Sequence, residues 1–152
     1  KWPSKIKANS RCNEMVIGTD FYPTILDMAG LPLRPEDHID GISILPLLEG
    51  NTSKLDRKEL YWHYPHYHRT KPFGAVRSGD WKLIEFYENN ELELYNFKDD
   101  PLEKNNLAQN NLEKAQELLG MLNEWRKSVN AQMMKSNPMY DPEKAHQKSK
   151  KK

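Results

Sequence analysis

The sequence predicts an α+β fold, in which a small antiparallel sheet of about four strands packs against a long C-terminal helix. Between residues 75 and 97, the pairs Gly79-Asp80 and Asn89-Asn90 separate three runs rich in aromatic and branched side chains. Both pairs suit tight turns that need a positive φ. From residue 112 onward, apolar residues recur at spacings of three and four, as they do along one face of a helix. A helix with such a face is typically buried against a sheet.

The composition fits a soluble globular chain with one modest core. Of 152 residues, 37% are hydrophobic and 30% are charged. No apolar run approaches the roughly 20 residues needed to cross a bilayer, and the opening residues lack the apolar centre of a secretory signal. The net charge of +1 argues against a nucleic-acid partner. The single cysteine, Cys12, excludes an internal disulfide and a multi-cysteine zinc site.

The N-terminal third predicts a surface loop followed by two helices. Thr19 or Asp20 is predicted to cap the first helix, because either side chain can accept a backbone N–H, and Gly30 is predicted to end it. Ser43 is predicted to cap a short second helix, residues 44–49. The first helix carries an apolar face made of Phe21, Ile25, Leu26, Met28 and Ala29.

Four segments are predicted to be strands of one sheet. Within the third segment, neighbouring side chains alternate between two faces with a period of two. Trp81 and Trp125 are predicted to lie in the core. Arg77 lies within a strand, where an ion pair with Asp80 or Glu85 is as reasonable as a ligand contact. The predicted strands are residues 59–64, 75–78, 81–87 and 92–97.

The long helix is predicted from apolar residues along one face, and a tail follows it. Pro138 and Pro142 prevent a regular helix from continuing, and the chain ends in a run of polar and charged residues. Residues 136–152 are therefore predicted to be a disordered tail. The residues of the helix face are Leu112, Ala115, Leu118, Leu119, Leu122, Trp125, Val129 and Met133.

A cluster of imidazole, aromatic and cationic side chains lies at the end of the first predicted strand. Three of the five histidines fall within six residues there, and Pro65 breaks strand pairing, so a loop is predicted to follow it. Stacking faces, imidazoles and fixed cations together suit a polar, anionic ligand. The alternative is that these groups close the sheet edge through satisfied hydrogen bonds. The candidate substrate-binding residues are His63, His66, His68, Arg69, Lys71, Tyr64 and Tyr67.

Six sequence phrases in a fixed order carry a family resemblance. They are WPSKIK at 2–7, TDFYPTILDMAGLPL at 19–33, DGISILPLLEG at 40–50, WHYPHYH at 62–68, AVRSGDWKLIEF at 75–86 and ELYNFKDDPLEKNNLA at 93–108. In this order they resemble the C-terminal part of the sulfatase family, the arylsulfatase-like hydrolases of the alkaline phosphatase superfamily. Several phrases in one order are far more specific than any one of them alone.

The resemblance implies that this chain belongs to a larger enzyme. Residues 1–58 are then the end of an α/β catalytic domain, and residues 59–135 are a C-terminal subdomain. The family hydrolyses sulfate esters with a formylglycine, made from a Cys or Ser in a Cys/Ser-x-Pro/Ala-x-Arg motif, beside a calcium ion. Cys12 lacks that motif, because Glu14 and Val16 stand where Pro or Ala and Arg are required. No catalytic or metal-binding residue is assigned to this chain, which is expected to be inactive alone.

The resemblance also implies that the cluster lies near the mouth of the catalytic pocket and selects the substrate. Arg69 and Lys71 would meet a sulfate or carboxylate, and Tyr64 or Tyr67 would stack on a sugar or aryl ring. The expected partners are a sulfated carbohydrate or aryl compound and the N-terminal catalytic part. A periplasmic, secreted or lysosomal location is expected from the family. A phosphoesterase of the same superfamily and a non-catalytic glycan-binding module are the alternative functions.

Overall fold

A computed structural model of the chain describes residues 1–141. The chain divides into two compact units, Lys1–Leu60 and Tyr61–Lys152. No helix within residues 1–141 is both long enough and apolar enough to span a membrane. The elements are a 3₁₀ helix at Gly18–Asp20, helices α1 (Phe21–Met28), α2 (Leu45–Glu49) and α3 (Leu112–Ser128), and strands β1 (Glu59–Tyr64), β2 (Phe73–Ser78), β3 (Trp81–Phe86) and β4 (Glu91–Asn96).

A buried ion pair between Asp20 and Arg57 organises the first unit. The two guanidinium Nη atoms donate to the two carboxylate oxygens at 2.6 and 2.8 Å, and the side chains are 2% and 6% exposed. The carboxylate also accepts the backbone N–H of Ile17 at 2.8 Å and of Ile42 at 3.0 Å. Arg57 donates further to the carbonyl oxygen of Asp40 at 3.1 Å. The pair therefore joins three segments that are distant in sequence.

The predicted cap of α1 by the side chain of Thr19 or Asp20 was wrong. Asp20 stands at the N-cap position of α1, but no side-chain hydrogen bond caps that helix. A carboxylate that accepts from an arginine and two amides forms stronger, charge-assisted bonds than a cap provides, so its oxygens are already occupied.

The predicted end of α1 is confirmed. Gly30 has φ of 67° and donates to Asp27 at 3.0 Å, a left-handed closure that glycine adopts without strain.

The Asp20 carboxyl links the stability of the first unit to pH. Burial acts to raise its pKa, but the hydrogen bonds from Arg57, Ile42 and Ile17 and the Arg57 charge outweigh it and lower the pKa. Because the pKa of Asp20 is lower in the folded state than in the unfolded state, its ionised carboxylate stabilises the fold at pH values above the unfolded-state pKa of about 3.9. This stabilisation is lost as the pH falls through the folded-state pKa. We therefore expect Asp20→Asn to flatten the loss of stability below about pH 4. Urea unfolding as a function of pH tests this, and a profile unchanged by the substitution would contradict it.

The sheet of the second unit has the strand order β1-β2-β3-β4. Strand β3 pairs antiparallel with both β2 and β4, with Val76 opposite Leu83 and Leu83 opposite Leu94. The two predicted turns are confirmed, since Gly79 and Asn90 have φ of 57° and 54°. The predicted fold class, a four-stranded antiparallel sheet with a C-terminal helix, is confirmed.

Helix α3 covers one face of the sheet. Trp81 and Trp125, both predicted core residues, pack against the buried cluster as partly buried side chains. The Trp125 ring stacks on Tyr61 with the ring centroids 5.0 Å apart. The fully buried members of this core are Val76, Leu83, Leu94, Ala108, Ala115, Leu118 and Leu122.

Helix α3 ends earlier than the predicted apolar face, which ran to Met133. Asn130 has φ of 50°, its N–H donates to Lys127 at 3.2 Å, and the N–H of Ala131 donates to Arg126 at 2.9 Å. This pair of bonds is a Schellman closure, in which Asn takes the left-handed position that glycine usually occupies. The predicted face residues Leu112, Val129 and Met133 are 60%, 51% and 47% exposed, and the last two lie beyond the helix.

The predicted ion pair of Arg77 with Asp80 or Glu85 is also wrong. The Arg77 guanidinium lies over the Phe97 ring, 4.4 Å from its centroid, and Nε donates to the Gly79 carbonyl at 3.4 Å. For Glu85, strand alternation explains the error. Arg77 is opposite Lys82, so these two side chains project from the same face of the sheet. Glu85 is three residues from Lys82 on β3 and therefore projects from the other face. Of the predicted tail, residues 142–152 lie outside the described part of the chain.

Candidate functional site

The loop between β1 and β2 crosses the face of the sheet that α3 leaves uncovered. Leu83 and Leu94 are buried against α3, so the alternating neighbours Phe86, Glu91 and Glu93 project from the opposite face. The loop, residues 65–72, begins at Pro65 directly after β1. Its side chains and those of β3 and β4 enclose a concavity of about 610 Å³.

This concavity brings together four of the seven predicted site residues. Those four are Tyr67, His68, Arg69 and Lys71, and all of them are exposed. The opposite wall contains two carboxylates that sequence reasoning did not single out. The complete lining is Tyr67, His68, Arg69, Thr70, Lys71, Phe86, Glu91 and Glu93.

Contacts within the concavity orient its aromatic and cationic groups. The Lys71 ammonium lies over the Phe86 ring, 5.9 Å from its centroid, which suits a cation–π contact. The Tyr67 hydroxyl donates to Glu88 Oε1 at 2.7 Å, and this hydrogen bond raises the pKa of Tyr67. Glu91 Oε2 accepts from the Asn89 side-chain amide at 3.1 Å. The bond to Glu88 thus orients the Tyr67 ring at the concavity.

The charged groups of the two walls do not neutralise one another. Among residues 1–141, no ion pair within 4.0 Å joins Arg69 or Lys71 to Glu91 or Glu93. Arg69 can therefore present the fork of N–H donors with which arginine recognises carboxylate and sulfate-like groups, and Lys71 adds a point charge. The wall made by Tyr67, His68, Arg69, Thr70 and Lys71, called the loop wall, therefore suits an anion. The wall made by Glu91 and Glu93, called the β4 wall, suits groups that donate hydrogen bonds.

His63 lies on the α3 side of the sheet and is bonded within the protein. Its Nε2 donates to the Gln132 carbonyl at 2.9 Å, since a carbonyl oxygen can only accept. Its Nδ1 then accepts from the Tyr87 hydroxyl at 2.6 Å. Both ring nitrogens of His63 thus have hydrogen-bond partners within the protein, as expected if this histidine closes the sheet edge.

A network beyond His63 connects β2, β3 and α3. The Arg126 guanidinium pairs with Glu85 and lies over the Tyr87 ring, 5.0 Å from its centroid. Burial, opposed by the Arg126 charge, raises the pKa of Tyr87. Gly74 permits this approach, because a Cβ there would collide with the Tyr87 hydroxyl and would lie 2.8 Å from Arg126 Nη2. A glycine inside a strand was the one sequence signal for this close contact.

His63→Ala is expected to reduce stability by about 1 to 3 kcal/mol, because it removes two hydrogen bonds and leaves the Tyr87 hydroxyl without its acceptor. The matched control is His66→Ala, an exposed position where a change within about 0.5 kcal/mol is expected. Thermal and urea unfolding of the two variants provide the measurement. Equal stabilities for both variants would contradict the structural role of His63.

Tyr64 and His66 form a small aromatic group at the end of β1. Their rings meet edge to face with centroids 5.6 Å apart, and the Tyr64 ring lies 5.8 Å from Phe73. Neither residue lines the concavity. The structure thus divides the predicted cluster into four residues at the concavity and three at the strand end. Substrate binding by any of the seven stays a prediction.

The family resemblance implies a calcium ion for the full-length protein. Within residues 1–141, no three His, Cys, Asp or Glu side chains come together as a metal-binding group. Cys12 is exposed and free.

Comparisons with known proteins agree on one relationship. A family model described as "N-sulphoglucosamine sulphohydrolase, C-terminal" matches residues 1–132. An N-acetylglucosamine-6-O-sulfatase of Bacteroides thetaiotaomicron is 39% identical over 135 residues, which are 84% of this chain and 24% of that protein. A sulfatase of Formosa agariphila is 34% identical over 148 residues, which are 90% of this chain and 26% of that protein.

A solved structure gives the same relationship in three dimensions. It is a complex with its substrate D-glucosamine-2-N,6-O-disulfate, and it matches this chain with a TM-score of 0.67 and 37% identity. The match covers 86% of this chain and 28% of that chain. The chain therefore spans about a quarter of the length of the relatives it matches.

Proposed function

Since the chain belongs to the sulfatase family and matches its C-terminal region, we propose that it supplies the substrate-binding loop of a sulfuric ester hydrolase that acts on a sulfated carbohydrate. One observation carries this proposal. Tyr67, His68, Arg69 and Lys71 line one concavity, and no described ion pair engages its two fixed cations.

The chemistry of the loop wall supports a sulfated sugar as the ligand. A sulfate ester carries a single negative charge and several acceptor oxygens, which suit Arg69 and Lys71. Tyr67 and His68 supply flat faces beside them, and sugar rings present apolar C–H faces to such groups. The comparisons point the same way, because a curated relative is an N-acetylglucosamine-6-O-sulfatase and a matching solved structure is a complex with its substrate D-glucosamine-2-N,6-O-disulfate.

The bond-breaking groups belong, in this proposal, to an N-terminal catalytic part. In the family a formylglycine supplies the nucleophile and a calcium ion stabilises negative charge. Cys12 does not stand in a Cys-x-Pro/Ala-x-Arg sequence, and residues 1–141 hold no metal-binding group. The contribution of this chain is therefore to bind and orient the sugar.

An exposed apolar stripe on α1 is proposed as the surface that docks on the catalytic part. Phe21, Ile25 and Met28 lie at helical spacing and are 64%, 62% and 40% exposed. In the isolated chain, Phe21→Asp is expected to reduce binding of a hydrophobic dye, whereas Leu112→Asp on α3 serves as an exposed control of similar size. Equal dye binding by both variants would argue against the stripe as a docking surface.

Activity measurements on the complete protein and on this chain test the function. We expect the complete protein to hydrolyse N-acetylglucosamine 6-sulfate and the 152-residue chain alone to have no sulfatase activity, because the nucleophile motif is absent from it. Sulfate release by the purified chain would overturn this division of roles. Faster hydrolysis of N-acetylglucosamine 6-phosphate by the complete protein would favour the phosphoesterase, and binding without hydrolysis of either ester would favour the glycan-binding module.

The location of the complete protein is proposed by analogy with the family as periplasmic, secreted or lysosomal. Sulfated glycans are extracellular or lysosomal polymers, so the enzyme needs access to one of these compartments. Cell fractionation with an antibody against this chain provides the test. Detection in the cytosol alone would contradict the proposal.

A further inference from the structure

The second wall of the concavity consists of two carboxylates from one strand. Glu91 and Glu93 are two residues apart on β4, so their side chains project from the same face. Glu91 is opposite Phe86 and Glu93 is opposite Ile84, which places both carboxylates beside the aromatic floor of the concavity. A ligand held by the loop cations would have its far side toward these two acids.

Local hydrogen bonds orient the two carboxylates. Glu91 Oε2 accepts from the Asn89 amide at 3.1 Å. Glu93 accepts from the Tyr95 hydroxyl; burial and then this hydrogen bond raise the pKa of Tyr95 to about 12, so Tyr95 remains a donor. A carboxylate has about four lone-pair sites, so each retains acceptor capacity for a ligand. Among residues 1–141, no ion pair within 4.0 Å neutralises either acid.

Two unpaired acids favour hydroxyl groups and disfavour a second anion. Sugar hydroxyls donate hydrogen bonds, which a carboxylate accepts well. A carboxylate on the sugar, as in a uronic acid, would instead meet like charge. Such repulsion selects against a wrong ligand even where the attractive contacts are unchanged.

Building on the proposed sulfated-sugar function of this site, we propose that Glu91 and Glu93 restrict its ligand to sugars that carry a sulfate and no carboxylate, and thereby exclude sulfated uronic acids. Arg69 and Lys71 receive the sulfate on the loop wall, while the two acids receive hydroxyl groups on the β4 wall. Glu91 and Glu93 are thus specificity-determining residues, and the sulfate-binding groups lie on a different segment of the chain.

A matched pair of ligands tests this selection. Glucose 2-sulfate and glucuronic acid 2-sulfate share the position of the sulfate and differ in the group at carbon 6. Isothermal titration or amide chemical shifts of the 152-residue chain at low salt give the two affinities. We expect glucose 2-sulfate to bind more tightly by about fivefold for each opposing carboxylate, the factor that follows from like charges about 4 Å apart in water. Added salt should narrow the difference.

Charge removal identifies the responsible residues. Glu91→Gln with Glu93→Gln keeps the shape of the wall and should bring the two affinities within about threefold, mainly by strengthening the binding of glucuronic acid 2-sulfate. Glu124→Gln, an exposed acid on α3, is the control and should leave the preference unchanged. Circular dichroism verifies that each variant is folded.

The outcomes separate this inference from the proposed function. Equal affinities of the unmodified chain for both sulfates, or a preference that survives the double substitution, would overturn the role of Glu91 and Glu93 while leaving a sulfate-binding loop. Absence of binding by both 2-sulfates would overturn the inference, and the proposed sulfate-binding loop would be overturned only if N-acetylglucosamine 6-sulfate also failed to bind. A preference for glucose 2-sulfate that the double substitution removes supports the inference.

Discussion

Arg57→Ala is expected to destabilise the first unit by about 3 to 5 kcal/mol, which is a large fraction of the stability of a small domain. The substitution leaves the Asp20 carboxylate buried without its counter-ion, and the remaining amide bonds do not neutralise its charge. Urea unfolding gives the global effect. Hydrogen exchange of the Ile17 and Ile42 amides gives the local one, because both amides donate to Asp20.

Arg34→Ala is the matched control for this loss. Arg34 also pairs with an aspartate, with Nε 2.9 Å from Asp37 Oδ2, but its side chain is 58% exposed. Exposed pairs typically contribute about 0 to 1 kcal/mol, so this variant should be nearly as stable as the parent. If Arg57→Ala costs no more than Arg34→Ala, the buried pair is not what organises the first unit.

The Asp20–Arg57 pair illustrates what a local pattern cannot predict. The sequence around Asp20 resembles a helix start, and a cap is the nearest use for its side chain. Its actual partner lies 37 residues away, and no periodicity or turn signal connects the two positions. A buried pair of this kind depends on the tertiary arrangement of loops, which propensity does not encode.

The sheet was predictable because its signals are local. Gly79 and Asn90 take the positive φ that their turns require, and the alternation of side chains between them follows from strand geometry. The end of α3 was less predictable, because Asn130 in a left-handed closure ends the helix while the apolar spacing continues to Met133. A closure by glycine would have marked that boundary in the sequence.

The candidate site was predicted as one cluster because its residues are neighbours in sequence. The structure divides it at the end of β1, where strand alternation turns His63 toward α3 and Pro65 releases the following residues into the loop. The acids Glu91 and Glu93 escaped attention because alternating charges on a strand are usually a solvated face. Only the register of β3 with β4 brings them to the concavity.

Replacing Arg69 and Lys71 by alanine is expected to have the largest effect on ligand binding. A hydrogen bond to a charged group contributes about 1.5 to 3 kcal/mol, so each substitution should lower the affinity for N-acetylglucosamine 6-sulfate by about tenfold to more than a hundredfold. Both side chains are exposed, so the thermal unfolding temperature should change little. Titration calorimetry of the chain gives the affinities. Lys98→Ala, an exposed cation outside the concavity, controls for the general loss of charge.

His66→Ala distinguishes the concavity from the wider predicted cluster. His66 packs against Tyr64 and does not line the concavity, so its removal should weaken binding far less than the loss of Arg69. A larger effect of His66→Ala would mean that the end of β1, rather than the concavity, meets the sulfate. A uniform small loss in the three variants that lose a fixed cation, at Arg69, Lys71 and Lys98, would leave only non-specific attraction by positive charge, because such attraction does not depend on which cation is removed.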